Sequence, residues 1–168
     1  MKRCLVWLFA SMLVPAHAAE IGVHYATRFP SEDYDLALTS VRMGVELPWH
    51  WTLNSNWVLR TRVELALARI NGEGNSATLA GIGPSLRLEP SSGRWYFDLG
   101  VRPGYLEEAS YGDLDLGGQF QFESSLGVGY RLSEFLSVNY ELVHISNGGF
   151  DDPNPGWNGH RLGLNFDF

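Results

Sequence analysis

A histidine and a serine stand two residues apart near the C-terminal end of the chain, at His144 and Ser146. In an extended strand such residues share a face with Cα atoms roughly 6.5 to 7 Å apart, so their side-chain tips can come within hydrogen-bond distance. An imidazole beside a hydroxyl is the pair found in base-activated nucleophiles. Two polar residues at the wet end of a strand can also have no chemical role, and the spacing alone leaves both interpretations open.

The segment that carries this pair is predicted to be a strand with one apolar face. Its apolar and polar residues alternate, with Leu136, Val138, Tyr140 and Leu142 on one face and Ser137, Asn139 and Glu141 on the other. The parity of the apolar row continues into His144 and Ser146. The two polar side chains are therefore expected on the otherwise apolar face.

The same alternation recurs along the chain from residue 20 onward, interrupted by turns rich in Gly, Pro, Asn, Asp or Ser. Eight segments are predicted, at 20–29, 36–47, 57–69, 77–88, 94–106, 118–132, 135–146 and 158–168. Eight is the smallest usual number of strands in an outer-membrane barrel.

Alternation alone fits a soluble β-sandwich as well as a membrane barrel. The polar faces, however, mix arginines and carboxylates with small residues, as a narrow lumen filled by ion pairs requires. Aromatic residues lie near strand ends, where a membrane interface would hold them: Trp57, Trp95, Tyr105 and Tyr130. The sequence therefore predicts an all-β protein, an eight-stranded antiparallel transmembrane β-barrel of the bacterial outer membrane.

With both termini in the periplasm, four loops of this barrel would face outward, near 30–35, 70–76, 107–117 and 147–157. The third of them is acidic and is expected to be a solvated loop without a metal site.

The first 18 residues are predicted to be a cleaved signal peptide. Lys2 and Arg3 precede an apolar run over 4–14, and Ala16-His17-Ala18 forms a small-x-small cleavage site. The apolar run is about half of the roughly 20 residues that a membrane helix needs. We expect cleavage after residue 18 or 19, so that 19–168 forms the barrel.

Removal of this segment takes away the single cysteine and leaves 10 of the 12 basic residues against 19 acidic ones, a net charge of −9. Thiol and disulfide chemistry are thereby excluded for the mature chain. Its negative charge argues against a nucleic-acid partner. No metal and no cofactor are predicted.

The run His144-Ile145-Ser146-Asn147-Gly148-Gly149, followed by Pro153-Asn154-Pro155-Gly156, resembles the outer-membrane lipid A 3-O-deacylase family (PagL-like). The resemblance is specific over 140–162 and elsewhere rests on length, signal peptide and strand pattern. It implies an eight-stranded barrel whose outer wall, facing the outer leaflet, removes the ester-linked 3-hydroxyacyl chain at position 3 of lipid A. Ser146 would be the nucleophile and His144 its general base. Lipid A in the outer membrane is the implied partner, and pairing of two barrels as a homodimer is left open.

The third catalytic position departs from the family, because Asn158 stands where the family pattern has a glutamate. A hairpin turn centred near Asp152 would pair Ser146 with Asn158 and His144 with His160, all on one face. An asparagine carbonyl can orient an imidazole by accepting its N–H, as in Cys-His-Asn proteases. Asn158 is therefore the predicted third member.

Other roles are assigned to neighbouring residues. A loop carboxylate, Asp151 or Asp152, is the alternative partner for His144. Ester hydrolysis also needs donors aimed at the developing oxyanion, for which the candidates are Asn147, Gly149 and Asn154. The acyl chain would lie along the apolar wall, against Tyr140, Leu142, Leu162 and Leu164.

Two other functions compete with the deacylase. A non-enzymatic small barrel, structural or adhesive, would have no use for the His144–Ser146 pair. A barrel acyltransferase acting on the same lipid would use similar groups but transfer the chain instead of releasing it.

Overall fold

The computed structural model describes residues 19–30, 33–54, 56–91 and 93–168. The predicted signal peptide, residues 1–18, lies outside this described part. Over the described residues, no helix is long and apolar enough to cross a bilayer.

The described chain folds into eight long strands and one short hairpin. The long strands are β1 (Ala19–Arg28), β2 (Ala37–Asn54), β3 (Trp57–Gly72), β4 (Asn75–Pro90), β5 (Trp95–Leu106), β8 (Phe120–Arg131), β9 (Leu136–Ser146) and β10 (Trp157–Asp167). The hairpin consists of β6 (Ser110–Tyr111) and β7 (Leu114–Asp115).

The eight long strands close into a barrel in the order β1-β10-β9-β8-β5-β4-β3-β2. Every neighbouring pair is antiparallel, including the closing pair, in which Glu20 lies opposite Asp167. Closure leaves no edge strand along the sheet that a bilayer would contact. The predicted eight-stranded antiparallel barrel is confirmed.

Side chains alternate between an apolar outer wall and a charged interior. On β1, for example, Ile21, Val23 and Tyr25 point outward and are exposed, whereas His24 is buried in the lumen. Exposed large hydrophobic residues occur in this way on all eight long strands. An apolar exterior around a polar lumen is the arrangement of a transmembrane barrel.

Ion pairs fill the lumen on the side of the termini. At its centre, Arg102 contacts Glu64 at 2.5 Å and Glu123 at 2.7 Å, and Arg161 bridges Glu123 at 2.8 Å and Glu141 at 3.1 Å. Among the described residues, seven arginines pair with seven acidic residues in this network: Arg42, Arg60, Arg62, Arg87, Arg102, Arg131 and Arg161 with Glu20, Glu46, Glu64, Glu89, Asp98, Glu123 and Glu141. The positive and negative charges in this narrow interior are equal in number and neutralise one another in ion pairs.

Toward the opposite end, the interior becomes apolar. The buried cluster there includes Leu36, Leu38, Ile70, Leu79, Leu106, Tyr111, Leu114, Leu116, Ile145 and Trp157. The hairpin β6–β7 folds into this cluster within a segment that the sequence predicts as a solvated loop. Its acidic residues are exposed, but the apolar residues between them, Ala109, Tyr111 and Leu114, are buried.

β2 departs most from its predicted bounds, because it continues to Asn54 although the alternation is predicted to end at residue 47. Pro48 interrupts the pattern, and the pairing with β3 shifts register between Glu46 and His50. Pairing then resumes, with Trp51 opposite Leu59. Because the irregularity interrupts the two-residue alternation, the sequence pattern does not predict the second half of β2.

Candidate functional site

His144 and Ser146 lie on the outer wall at the end of β9 that is farther from the chain termini. The hydroxyl Oγ of Ser146 lies 2.9 Å from Nε2 of His144. On the other side of the ring, Nδ1 of His144 lies 2.8 Å from Oδ1 of Asn158 on β10. The three side chains therefore form one continuous hydrogen-bonded chain across two neighbouring strands.

The hydrogen bond to Asn158 fixes which nitrogen of the neutral imidazole carries the proton. Because Oδ1 of Asn158 can only accept, Nδ1 of His144 carries the proton and donates it. Nε2 is then free to accept the Ser146 hydroxyl proton. A neutral imidazole in this tautomer is ready to act as a base toward the serine.

The register between β9 and β10 differs from the predicted one. Asn158 lies directly opposite His144, and His160 lies opposite Leu142, so the expected pairing of Ser146 with Asn158 is wrong. The connection is centred on Asp151, one residue earlier than predicted, which slides β10 by two residues. A two-residue slide leaves every side chain on its face, so the predicted sharing of the outer wall stays correct.

The alternative partners for His144 lie elsewhere. Both ring nitrogens of His144 are already engaged by Asn158 and Ser146. The carboxylate of Asp151 is directed at the turn of Gly118, where a Cβ would meet its Oδ2 at 2.2 Å. Asp152 is exposed in the loop.

Asn147 ties the loop after β9 to the rest of the barrel mouth. Its side chain is fully buried, and its amide nitrogen donates to the carbonyl oxygens of Gly117 and Asp151 at 2.8 Å and Pro153 at 3.1 Å. Its own Oδ1 accepts the N–H of Gly149 at 2.8 Å. The side-chain donor of Asn147 and the backbone donor of Gly149, both predicted for an oxyanion, are thus engaged within the loop in this structure.

Asn154 is turned the other way. Its Oδ1 accepts the backbone N–H of Asn147 at 3.1 Å. Within the described part of the chain, neither the Asn154 amide nitrogen nor the backbone N–H of Gly148 donates a hydrogen bond to the protein. These two groups are therefore available to a ligand.

Gly156, which precedes β10, packs against His144 and Ser146. It has a φ of +68°, and a Cβ there would lie 3.0 Å from Cε1 of His144 and 3.6 Å from Cβ of Ser146. A left-handed backbone in such close contact favours glycine over any other residue. Without a Cβ, Gly156 leaves room for the ring of His144.

An apolar groove starts at His144 and Asn158 and runs down the outer wall. Its volume is about 330 Å³, and its lining includes His144, Asn158, Phe29, Leu99, Leu126 and Leu142. A second groove of about 440 Å³ lies farther down β8 and β9 and is lined by Trp95, Val128, Tyr130, Val138, Tyr140 and Leu162, among others. Of the predicted acyl contacts, Leu142 lines the first groove, Tyr140 and Leu162 line the second, and Leu164 is exposed on the wall beside them.

Two features beside the site are missing from the sequence-based prediction. Phe120, Phe122 and Phe150 form an aromatic cluster, in which the rings of Phe122 and Phe150 stack at 5.9 Å. Phe122 lies directly opposite Ser146. Ser124, two residues along β8, lies opposite His144 and lines the first groove. The sequence does contain a signal for Ser124, because it is a polar residue within the apolar row of β8, as His144 is in β9.

Comparisons with known proteins agree with this architecture. A family model described as lipid A 3-O-deacylase (PagL) matches residues 36–167, more than half of the chain. A curated relative, lipid A deacylase PagL of Bordetella bronchiseptica, is 29% identical over 75 residues, which cover 45% of this chain and 42% of that protein. The sequence match thus spans less than half of the length of that relative.

A solved structure described as the outer membrane enzyme PagL superposes with a TM-score of 0.72 at 18% identity, covering 89% of this chain and 98% of the other. At that identity the likeness concerns the fold, which is the closed barrel described above. The family model covers four-fifths of the chain on its own, from before β2 to the end of β10. The protein belongs to the lipid A 3-O-deacylase (PagL) family.

Proposed function

We propose that this protein is a serine esterase of the bacterial outer membrane that hydrolyses the 3-O-linked hydroxyacyl chain of lipid A. The observation that carries the proposal is the chain of hydrogen bonds from Ser146 through His144 to Asn158, on a wall that faces lipid. Family membership supplies the substrate, and the geometry supplies a nucleophile with its base.

In the proposed reaction, His144 acts as the base toward Ser146. Ser146 Oγ attacks the ester carbonyl carbon while its proton passes to Nε2 of His144. The tetrahedral intermediate then expels the sugar oxygen, which takes that proton and leaves as the free 3-hydroxyl, and the acyl chain stays on Ser146. A water molecule deprotonated by His144 hydrolyses this second ester and releases the 3-hydroxy fatty acid.

Asn158 holds His144 in the required tautomer throughout this sequence. Its carbonyl accepts the Nδ1 proton at 2.8 Å, so Nε2 always faces the serine. An amide oxygen is neutral, however, and stabilises the transient imidazolium less than a carboxylate would. We therefore assign Asn158 as a positioning residue that works without a charge.

The loop between β9 and β10 supplies the oxyanion donors in this proposal. The amide nitrogen of Asn154 and the backbone N–H of Gly148 are available, whereas Asn147 and the N–H of Gly149 stabilise the loop. Donors held in place before the reaction stabilise the developing negative charge most effectively. Asn147 then acts by holding the loop that presents the donors.

The grooves give the acyl chain a path that stays in the membrane. From His144 to Val138, the wall of β9 extends six residues, about 20 Å. At the strand tilt of roughly 40° found in such barrels, this length covers about 15 Å of depth, half of a hydrocarbon core of about 30 Å. The ester at the upper end of such a chain would lie at headgroup depth beside Ser146.

Mass spectrometry of lipid A from cells that express the chain tests the proposal. The parent protein should remove one 3-hydroxyacyl chain, and His144→Ala or Ser146→Ala should lower the rate by at least about 10³-fold. Matched controls are His50→Ala and Ser110→Ala, which change an exposed histidine and an exposed serine away from the site. Both controls should keep the activity of the parent.

Other outcomes identify the competing functions. If lipid A stays unchanged in a strain with an intact 3-O ester, with the barrel folded and inserted, the result would favour a structural or adhesive function. A gain in mass by one acyl chain would instead show an acyltransferase.

A further inference from the structure

Ser124 places a hydroxyl on the lipid-facing wall beside the catalytic histidine. The other outward residues of β8 are apolar: Phe120, Phe122, Leu126, Val128 and Tyr130. Ser124 is half-buried between them and lies directly opposite His144 on β9. Among the described residues, its hydroxyl has no hydrogen-bond partner. A hydroxyl in apolar surroundings costs free energy unless a partner satisfies it.

The groove that begins at the catalytic site passes over this hydroxyl. Of the polar side chains that line the groove, those of His144 and Asn158 are hydrogen-bonded within the catalytic chain. Ser125 also lines it, but its Oγ points into the lumen and accepts from Arg102 at 2.8 Å. Ser124 is therefore the side chain of this lining that can offer a hydrogen bond to a chain lying in the groove.

The separation between Ser124 and the nucleophile matches a particular substrate atom. Ser146 pairs with Phe122, so Ser124 is its diagonal neighbour, at roughly 7 to 8 Å between the two residues. When the ester carbonyl carbon lies next to Ser146 Oγ, the carbon two positions farther along the acyl chain lies near Ser124. In a 3-hydroxyacyl ester, that position carries a hydroxyl.

We propose that Ser124 recognises the 3-hydroxyl of the acyl chain and makes the enzyme selective for 3-hydroxyacyl esters over unsubstituted ones. The inference rests on the proposed esterase function and adds the residue that recognises the acyl chain. A neutral hydrogen bond of this kind corresponds to a selectivity of roughly 2- to 12-fold. An unsubstituted chain loses this factor because it leaves the Ser124 hydroxyl without a partner.

The test compares two esters with the full chain folded in detergent micelles, the 4-nitrophenyl esters of 3-hydroxydecanoic and decanoic acid. The measured quantity is the ratio of their kcat/KM values, which cancels any general change in folding or activity. The parent should prefer the hydroxylated ester by the factor above. Ser124→Ala should bring the ratio down to near that of the uncatalysed esters, and Ser124→Thr, which keeps the hydroxyl, should restore the preference.

Thr39→Ala is the matched control, because Thr39 is an exposed hydroxyl residue on β2, away from β8 and β9. It should leave the ratio at the value of the parent. A Ser124→Ala variant that retains the full preference would overturn the inference and leave the esterase function standing. If the parent hydrolyses neither these esters nor lipid A, the proposed function itself fails, and the role of Ser124 falls with it.

Discussion

Replacing Asn158 by aspartate should make the enzyme faster. Aspartate has the shape of asparagine and places a carboxylate oxygen where Oδ1 now lies, 2.8 Å from Nδ1 of His144. Hydrogen bonds to a charged group contribute about 1.5 to 3 kcal/mol, against about 0.5 to 1.5 kcal/mol for neutral ones. The imidazolium exists only after proton transfer, so the gain of about 1 to 1.5 kcal/mol belongs to the transition state.

This difference corresponds to an increase in kcat/KM of roughly 5- to 12-fold. Asn158→Ala should act in the opposite direction, because it removes an acceptor worth about 1 kcal/mol and frees the ring to adopt the wrong tautomer. We expect its kcat/KM to fall by about 5- to 30-fold. The assay is the initial rate of fatty acid release from lipid A in mixed micelles, with equal amounts of folded protein.

Asn54→Asp is the control for the added charge, since Asn54 is exposed at the opposite end of the barrel. It should not change the rate. An Asn158→Asp variant no faster than the parent, or an Asn158→Ala variant as fast as the parent, would refute the assignment of Asn158. A strong loss in Asp151→Ala alone would move the role into the loop.

The remaining predictions concern the residues that support the site. Gly156→Ala should lower kcat at least about tenfold, because the added Cβ lies 3.0 Å from Cε1 of His144, and it should also lower the unfolding midpoint in urea, because alanine is strained at a φ of +68°; unaltered kcat would contradict this packing. Asn147→Ala should speed proteolytic cleavage of the loop after β9, since it deletes the buried amide that donates to four carbonyl oxygens of the mouth; equal cleavage rates would show that the loop is held without this amide. Arg102→Ala should destabilise the barrel by about 3 to 5 kcal/mol in denaturant titrations, because Glu123 and its neighbours lose a buried partner; a shift below 1 kcal/mol would mean that water replaces the guanidinium.

The sequence predicts which residues share the face of the site better than it predicts their register. Alternation puts His144, Ser146 and Asn158 on one face, because parity depends only on extended backbone. Which residues lie opposite one another depends on where the loop between β9 and β10 is centred. The Gly- and Pro-rich sequence of the loop allows several centres, and moving the centre by one residue shifts the pairing of the two strands by two. The buried amide of Asn147 ties the observed loop to Leu116 and Gly117, which lie in a distant part of the chain.

The elements that the sequence misses share a physical cause. β6 and β7 are two residues each, too short for a period to show, and Tyr111 is buried only because the barrel mouth receives it. β2 is longer than predicted because a register shift near Pro48 breaks the alternation without ending the strand. In both cases tertiary contacts decide, and local pattern does not.

The charged interior has a consequence for the cell that carries this protein. Guanidinium and carboxylate groups interlock across the described barrel, and the apolar cluster of the mouth closes its other end. We therefore expect no open path for ions and small solutes through the barrel, and purified protein in a planar bilayer should give no conductance steps. Many copies of this protein can thus lie in the outer membrane without weakening its permeability barrier.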